Sequence, residues 1–387
     1  MAQCLSGLFN LMVLLIGNYI PDQQQSMQRF NAMMLQGLSA AGIDAELIRP
    51  SPVFGKFRLL GRGFTKWLGY IDKYIVFPRL LRRKLRTLRP ELVHICDHSN
   101  AVYVRHCRRF PVLVTCHDLL AVRGSLGEDT DCPASPTGKI LQRWILRGLR
   151  RADAVACISE ATADDAERLI GHGVGKPHLS VVRMGLNYPY RKLPLEEAWA
   201  RLNGADHFNA DVPFVLHVGS NQRRKNREAV IRIFAKCKDK WDGRLVFAGD
   251  CLGEELLSTA ARLGISNRIV QLHNPGSETL EALYNCATAL LYPSRFEGFG
   301  WPIIEAQACG CPVICSNIAP LAEAAGDAGF FHRVEDEDGF AADLLRLANP
   351  SKRAVWSEGS LRNAERFSTS KMIGQYVDIY RALGAGL

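Results

Sequence analysis

Short apolar runs alternate with longer amphipathic stretches along this chain, and that rhythm argues for parallel α/β construction. In the first half, strands are expected at 11–16, 45–48, 92–95, 112–115, 154–158 and 179–182, with helical patterns at 26–41, 138–150 and 160–170. The same grammar restarts at 214–218 and continues through 244–248, 269–272, 287–292, 312–315 and a short run near 329–331. Helical patterns at 226–236, 254–263 and 277–286 fill the gaps, and 371–383 reads as a closing amphipathic helix. Residues 187–211 carry proline and charge with no strong apolar period, so a domain junction is expected there. The expected fold class is α/β: two doubly wound, Rossmann-like domains, 1–200 and 201–370, facing a cleft, then the segment 371–387. Ligands of such a pair sit in the crevice at the carboxyl ends of the strands.

A length of 387 residues favours two cores over one. A content of 47% hydrophobic and 22% charged residues is ordinary for a globular enzyme. The twelve cysteines are scattered, and the one close cluster, Cys309-x-Cys311 with Cys315, reads better as small buried residues than as metal ligands. Unpaired thiols suggest a reducing cytosol. The apolar run 11–16 has no basic residue before it, the first being Arg29, so a buried strand is expected there rather than a signal peptide. No segment reaches the roughly 20 apolar residues of a membrane span.

The formal charge of +9 is unevenly placed. Between Lys56 and Arg89 eleven basic residues face one acid, Asp72, a local net of +10. Trp67, Tyr70, Ile71, Tyr74 and Ile75 recur there near helical spacing. Two readings stay open: peripheral contact with an anionic membrane through 56–89, or a solvated helix packing its apolar side inward. Nucleic acid is disfavoured as a partner, because no recognised binding motif accompanies the charge.

Glu297 and Glu305 bracket the run Glu297-Gly298-Phe299-Gly300-Trp301-Pro302-Ile303-Ile304-Glu305. The glycines let a ligand approach the backbone, Pro302 fits a helix start, and such a start favours anions. The carboxylates of a glycoside hydrolase sit roughly 5–10 Å apart. Eight residues of continuous helix would separate these by about 12 Å, but the glycines make an unbroken helix unfavourable. A plain loop glutamate followed by a helical one is the simpler reading of the pair alone.

Val215-Leu216-His217-Val218-Gly219-Ser220-Asn221-Gln222-Arg223-Arg224-Lys225-Asn226 is the second strong feature. A strand ends at Gly219 and a helix opens near Asn226, so Arg224 and Lys225 suit a diphosphate, one as a fork and one as a compact charge. Thr115-Cys116-His117-Asp118 closes another strand. His117 can bond a sugar hydroxyl or carry a proton, with Asp118 either tuning it or capping a turn. In the loop after the first strand, Asn18, Gln25 and Ser26 offer polar groups to an acceptor or phosphate. Gly171-x-Gly173-x-Gly175 follows a helix rather than a strand, which excludes a dinucleotide fingerprint.

Together these residues resemble the retaining glycosyltransferases of family 4, also called group 1 glycosyltransferases. Glu297-x7-Glu305 with Ala306 and Gly310 looks like the family signature, and Val218-Gly219 with Arg224-Lys225-Asn226 looks like its donor-phosphate loop. Ala152-Asp153-Ala154-Val155 leading to Ile158-Ser159-Glu160, and Met184-Gly185-Leu186-Asn187, are also similar to family segments. The resemblance implies the two-domain GT-B fold, with the C-terminal helix crossing back to the first domain. It implies that Glu305 bonds the nucleotide ribose and Glu297 the donor-sugar hydroxyls. Backbone N–H groups around Gly298, Phe299, Gly300 and Trp301 would support sugar and phosphate. Gly219, Ser220 and Arg223 belong to the same donor loop, with Arg224 and Lys225 neutralising the diphosphate and His117 approaching the sugar. Asn18, Gln25, Ser26 and Asp118 fall on the acceptor side. Two departures stand out: Ser220 occupies a position where many members have Arg, so either Arg223 or Arg224 supplies that charge. Asn18 and a glutamine run replace paired glycines in the first loop.

The implied enzyme is a cytoplasmic retaining hexosyltransferase, with peripheral association at the inner face of the membrane left as one of the two readings of the basic stretch. Its donor is a nucleotide sugar, the hexose mannose or a relative, and its acceptor a glycan, lipid-linked or other hydroxyl, as in polysaccharide biosynthesis. No metal or other cofactor is expected. Charge developing on the departing diphosphate would be stabilised by Arg224, Lys225 and a helix N-terminus, with domain closure excluding water. Alternatives are a phosphorylase or sugar-nucleotide epimerase on the same fold, or a non-catalytic sugar-nucleotide-binding protein.

Overall fold

The computed structural model describes residues 12–56, 67–202 and 208–384. It divides into two compact units, one running to Asn187 and resuming at Thr369, the other spanning Tyr188–Ser368.

The first unit holds six parallel strands: β1 (Met12–Ile16), β2 (Asp44–Ile48), β3 (Leu92–Ile95), β4 (Val112–Cys116), β5 (Ala154–Cys157) and β6 (His178–Val181). They lie in the order β2-β1-β3-β4-β5-β6, so β1 pairs on both sides, Val13 opposite Ala45 and Leu92. Helices cover the sheet, so Val13 to Ile16 are fully buried and read as one unbroken apolar run. The first helix, Gln25–Ala40, turns Phe30, Met33, Met34 and Leu38 inward. Ser159 caps the helix Glu160–Ile170 by accepting from the Thr162 N–H.

The second unit repeats the design with β7 (Phe214–Gly219), β8 (Arg244–Gly249), β9 (Ile269–His273), β10 (Ala289–Tyr292), β11 (Val313–Ser316) and β12 (Gly329–His332). Their order is β12-β11-β10-β7-β8-β9, again parallel throughout. Each sheet reverses its winding once, between β1 and β3 in the first and between β7 and β10 in the second. Crevices at these points are where doubly wound sheets bind ligands.

The last helix, Thr369–Ala382, belongs to the first unit. Tyr376 and Tyr380 bury their rings there, and a buried polar chain fixes them. The Tyr380 hydroxyl meets His94 Nδ1 at 2.7 Å, His94 Nε2 meets Thr115 Oγ1 at 2.7 Å, and Thr115 Oγ1 meets the Tyr376 hydroxyl at 3.0 Å. Burial drives the His94 pKa down to about 3, so the ring in this chain is neutral. Thr369 Oγ1 donates to the Leu186 carbonyl at 2.7 Å, fastening the start of the helix.

Three local details go beyond or differ from the sequence reading. The stretch 187–211, read as a junction with no strong apolar period, also carries a short helix, Leu195–Leu202, with Arg201 bonded to Glu281 at 2.7 Å. Two turns are too short for an apolar period to show. The helix expected from Asn226 starts at Arg227, because Asn226 adopts a left-handed conformation at φ 54°. Pro302 is the second residue of its helix, Trp301–Ala308, rather than the first. Of the basic stretch, 57–66 lies outside the described residues, as does Leu11 of the first strand. The remainder is helical from residue 67, passes through a wider π turn at Asp72–Val76, and continues as Phe77–Leu88. No helix among the described residues is long and apolar enough to cross a membrane.

Candidate active site

The second winding reversal places the loops after β7 and β10 side by side. After Gly219 the chain makes a 3-10 turn, Arg223–Lys225, before Asn226 redirects it into the helix Arg227–Cys237. After Tyr292 the chain stays irregular to Gly300, whose φ of 115° suits glycine. A Cβ on Gly300 would lie 2.8 Å from the Leu321 side chain. Glu297 therefore stands in a loop and Glu305 in the following helix, which removes the continuous-helix spacing.

Backbone bonds stitch the loops together. Arg295 N–H donates to the Arg224 carbonyl at 2.7 Å, and Asn226 Nδ2 donates to the Pro293 carbonyl at 3.0 Å. Side chains then converge on Glu297. Arg224 donates to its Oε2 at 2.6 Å, and Lys225 Nζ to its Oε1 at 2.6 Å. Tyr292 donates to Oε1 at 2.8 Å while accepting from Lys225 Nζ at 2.7 Å. Burial opposes ionisation of Glu297, but the Lys225 and Arg224 charges overcome it and hold the carboxyl down at about 2. Burial likewise lowers the Lys225 pKa, with Glu297 opposing the shift. Two of the three Lys225 N–H bonds are thus engaged within the chain.

Arg224 is the partly buried arginine that joins this cluster, while Arg223 is exposed. Gly219 ends β7, with Ser220 directly after it. Phe299 packs edge-on against Phe367 at 5.7 Å, with Gly298 before it and Trp301 opening the helix. Glu305 is buried and accepts from the Tyr284 hydroxyl at 2.9 Å.

Sequence reasoning missed Tyr292, Tyr284 and Arg227. Arg227 is buried beneath the β7 loop, donating to the Gly219 carbonyl at 2.7 Å, the Asp250 carbonyl at 2.7 Å and Asn221 Oδ1 at 2.6 Å. Burial lowers its pKa to about 10. Its Nε has no hydrogen-bond partner among the described residues, and neither has Nε2 of buried His217, whose Nδ1 donates to the Leu291 carbonyl at 2.9 Å. A Cβ on Gly219 would stand 3.4 Å from that His217 nitrogen, an ordinary contact distance. The one available signal was an arginine directly after Lys225-Asn226, where a helix would ordinarily begin its buried side.

In the first unit, His117 is buried at the end of β4 and donates from Nε2 to the Cys96 carbonyl at 2.9 Å. Its ring meets Phe30 edge-on at 4.8 Å. Burial lowers its pKa, with Asp97 the main opposing charge, so the neutral ring presents Nδ1 as an acceptor. Asp118 contributes less and instead accepts from the Leu120 N–H at 3.0 Å, the turn-capping role. Asp97, not singled out in the sequence, is buried and accepts from Asn18 Nδ2 and the Ser99 N–H. Asn18 Nδ2 also donates to Gln24 at 2.6 Å, while its Oδ1 is buried without a hydrogen-bond partner among the described residues. Gln25 and Ser26 are exposed at the start of the first helix.

Cys309, Cys311 and Cys315 are buried free thiols. Among the described residues no group of three or more His, Cys, Asp or Glu side chains is arranged to hold a metal ion.

A family model described as Glycosyl transferases group 1 matches residues 212–349, and one described as Glycosyltransferase Family 4 matches residues 27–187. The two matches fall in the two units, one in each, and the molecule is a glycosyltransferase. The chain belongs to the group 1, family 4 glycosyltransferases.

Among curated relatives, O-antigen chain mannosyltransferase B of Escherichia coli is 32% identical over 44% of this chain and 46% of its own length. The alignment thus spans about half of that relative. D-inositol 3-phosphate glycosyltransferase of Mycobacterium tuberculosis is 28% identical over 80% of this chain and 67% of its own. Among solved structures, sucrose-phosphate synthase from Thermosynechococcus elongatus superposes with a TM-score of 0.77 at 20% identity, over 97% of this chain and 100% of that one. Anabaena HepE in complex with UDP and glucose gives 0.72 at 16% identity, over 96% and 100%. These likenesses concern the fold, which is that of GT-B glycosyltransferases.

Proposed function

We propose that this enzyme transfers a hexose from a nucleotide sugar to a hydroxyl acceptor, on a glycan or lipid-linked carrier, with retention of anomeric configuration. The observation that carries the reading is the convergence of Arg224 and Lys225 on Glu297 at the winding reversal of the second sheet. Two cations held at strand carboxyl ends suit a diphosphate, and the third Lys225 N–H is available to it. HepE, a relative in fold, is described with UDP and glucose, and the mannosyltransferase relative favours mannose as the hexose.

In this reading the acceptor oxygen attacks the anomeric carbon as the bond to the diphosphate breaks. The acceptor proton passes to the departing phosphate oxygen on the same face. Arg224 and Lys225 meet charge that grows along the reaction, a kind of stabilisation typically worth about 3 kcal/mol per donor. Glu297 is a poor nucleophile, since both its oxygens are engaged by cations. Its role is to orient those cations and, once a donor arrives, the sugar hydroxyls. Glu305 would take the nucleotide ribose, and His117 a substrate hydroxyl through Nδ1. No resident cofactor is required, because the leaving charge is met by side chains.

A thermal-shift screen against nucleotides and nucleotide sugars, followed by transfer assays and NMR of the product linkage, tests the proposal. Stabilisation by one nucleotide sugar and an axial-to-axial or equatorial-to-equatorial outcome are expected. Inversion at the anomeric carbon would overturn retention. Phosphorolysis without a nucleotide, or product without any acceptor, would instead identify a phosphorylase or epimerase. Tight donor binding with no transfer to any acceptor would identify a binding protein.

A further inference from the structure

The two central strands of the second sheet, β7 and β10, pair at Val215 with Ala289 and at Leu216 with Leu290, and part beyond that point. The His217 ring fills the opening, where its Nδ1–H donates to the Leu291 carbonyl at 2.9 Å. That bond fixes the tautomer, so Nε2 is an acceptor. Nε2 is buried and has no hydrogen-bond partner among the described residues. An acceptor sealed from water is costly to leave unbonded, which calls for a donor that reaches it in some state of the site.

The surroundings of Nε2 single out Lys225 as that donor. A Cβ built on Gly219 would lie 3.4 Å from Nε2 and 3.5 Å from Lys225 Cδ, so the ring nitrogen and the lysine stem border one spot. The ring also lies along Tyr292, with centroids 6.0 Å apart and planes at 27°, and the Tyr292 hydroxyl holds Lys225 Nζ at 2.7 Å. Arg227 is a second cation near the ring, but bonds to the Gly219 and Asp250 carbonyls and to Asn221 fix its guanidinium in place. A diphosphate offers acceptors only, so the leaving group cannot fill the need itself. Burial keeps the ring neutral beside these cations, with its pKa at about 3.

We propose that His217 is a positioning residue for Lys225, its Nε2 accepting the ammonium N–H that Glu297 gives up when a diphosphate binds. The inference rests on the reading of Lys225 as a diphosphate ligand. Without that ligand, Lys225 directs one N–H to Glu297 Oε1 and one to the Tyr292 hydroxyl. The diphosphate takes the third and draws the ammonium off Oε1. Tyr292 bonds the ammonium throughout, and rotation about the last side-chain bonds brings the released N–H to Nε2. Glu297 keeps Arg224 and Tyr292, and Oε1 regains a lone pair for a sugar hydroxyl. The Lys225 charge then stands among the diphosphate and two neutral acceptors, with no carboxylate competing for it.

Nitrogen NMR of the native chain, isotopically labelled at histidine, reads the ring directly, with inorganic pyrophosphate, UDP and GDP as probes. The unprotonated Nε2 resonance, identified by its absence in His217→Gln, should move upfield at saturation while Nδ1 keeps its proton. Calorimetric titration gives a second readout. His217→Asn, whose amide can still meet the Leu291 carbonyl but falls short of the Nε2 position, should weaken the tightest probe about tenfold or more. His217→Gln, whose amide oxygen reaches that position, should restore affinity to within about threefold. In a Lys225→Ala background, His217→Asn should change affinity less than about twofold, because the two residues act as one unit. An unmoved Nε2 resonance at saturation, protonation of both ring nitrogens, or a full additional loss in that background would overturn the proposal and leave the donor reading standing. Probe binding unchanged by Lys225→Ala, or no binding of any probe to the native chain, would overturn both. Circular dichroism identifies a misfolded variant, and the native spectra decide without one.

Discussion

The Lys225 ammonium donates to Glu297 Oε1 at 2.6 Å, joining residues from two loops that leave adjacent strands of the second sheet. The pair is not a simple salt bridge, because Tyr292 bonds both partners and Arg224 takes the other carboxylate oxygen. In the proposed reaction, removing a cation that meets the diphosphate should therefore be separable from removing the carboxylate that positions it.

Lys225→Ala is expected to reduce transfer by about a hundred- to a thousandfold, the usual effect of losing one charge-stabilising donor. Nucleotide-sugar affinity should fall in parallel, read by calorimetric titration. Near-normal transfer in this variant would remove Lys225 from the site.

Glu297→Gln keeps the shape and removes the charge, leaving Lys225 and Arg224 partly buried without their common anion. Breaking a buried ion pair on one side costs about 3–5 kcal/mol. Here water reaches Arg224, so the lower end is expected, read as a drop in the urea midpoint. The folded pKa of Glu297 lies below its ordinary 4.5, so the contribution is present above about pH 4.5 and fades as pH falls toward 2. The difference between native and variant midpoints should shrink over that window. A constant difference would show that the charge is not what stabilises.

Arg227 has a different role to test. Its guanidinium ties the carbonyls of Gly219 and Asp250 to the Asn221 side chain, so it sets the shape of the loop after β7 from beneath. Arg227→Met should cost about 3 kcal/mol of stability, since buried acceptors lose charged donors. It should raise the donor KM more than it lowers kcat, because the loop loosens while the leaving-group cations stay. A loss confined to kcat would instead place Arg227 against the reacting atoms.

The sheets were legible because strands buried on both faces read as unbroken apolar runs, as in Val13 to Ile16 and Val313 to Cys315. The glycines and cations of the loop after β7 stood out as candidates because they sit where such a strand ends. Arg227 and Asp97 were not, since each acts through bonds to partners that only the fold brings near. Asp97 meets Asn18 across 79 residues of sequence. The seating of the last helix rests on Tyr380 meeting His94 across 286 residues, and no local pattern announces that bond. Leu195–Leu202 stayed hidden for a different reason, its shortness.

Acid sensitivity provides a last test. His94 and His217 are fully buried, and burial drives both pKa values from 6.5 to about 3. From these two rings the unfolded chain binds two more protons than the folded one between those limits. His117 and His106, also lowered by burial, act in the same direction, so stability is complete above about pH 6.5 and is lost as pH falls toward 3. At pH 5 each ring should cost about 2 kcal/mol relative to pH 7.5, before any carboxylate of ordinary pKa has protonated appreciably. Urea unfolding of the whole chain at the two pH values reads this directly. His94→Gln, which can still bond Tyr380 or Thr115 but cannot titrate, should remove about 2 kcal/mol of the drop and leave the share of the other buried rings. An unchanged midpoint between pH 7.5 and 5 would mean that these rings are solvated, and that the polar chain from Tyr380 through His94 to Thr115 is not sealed from water.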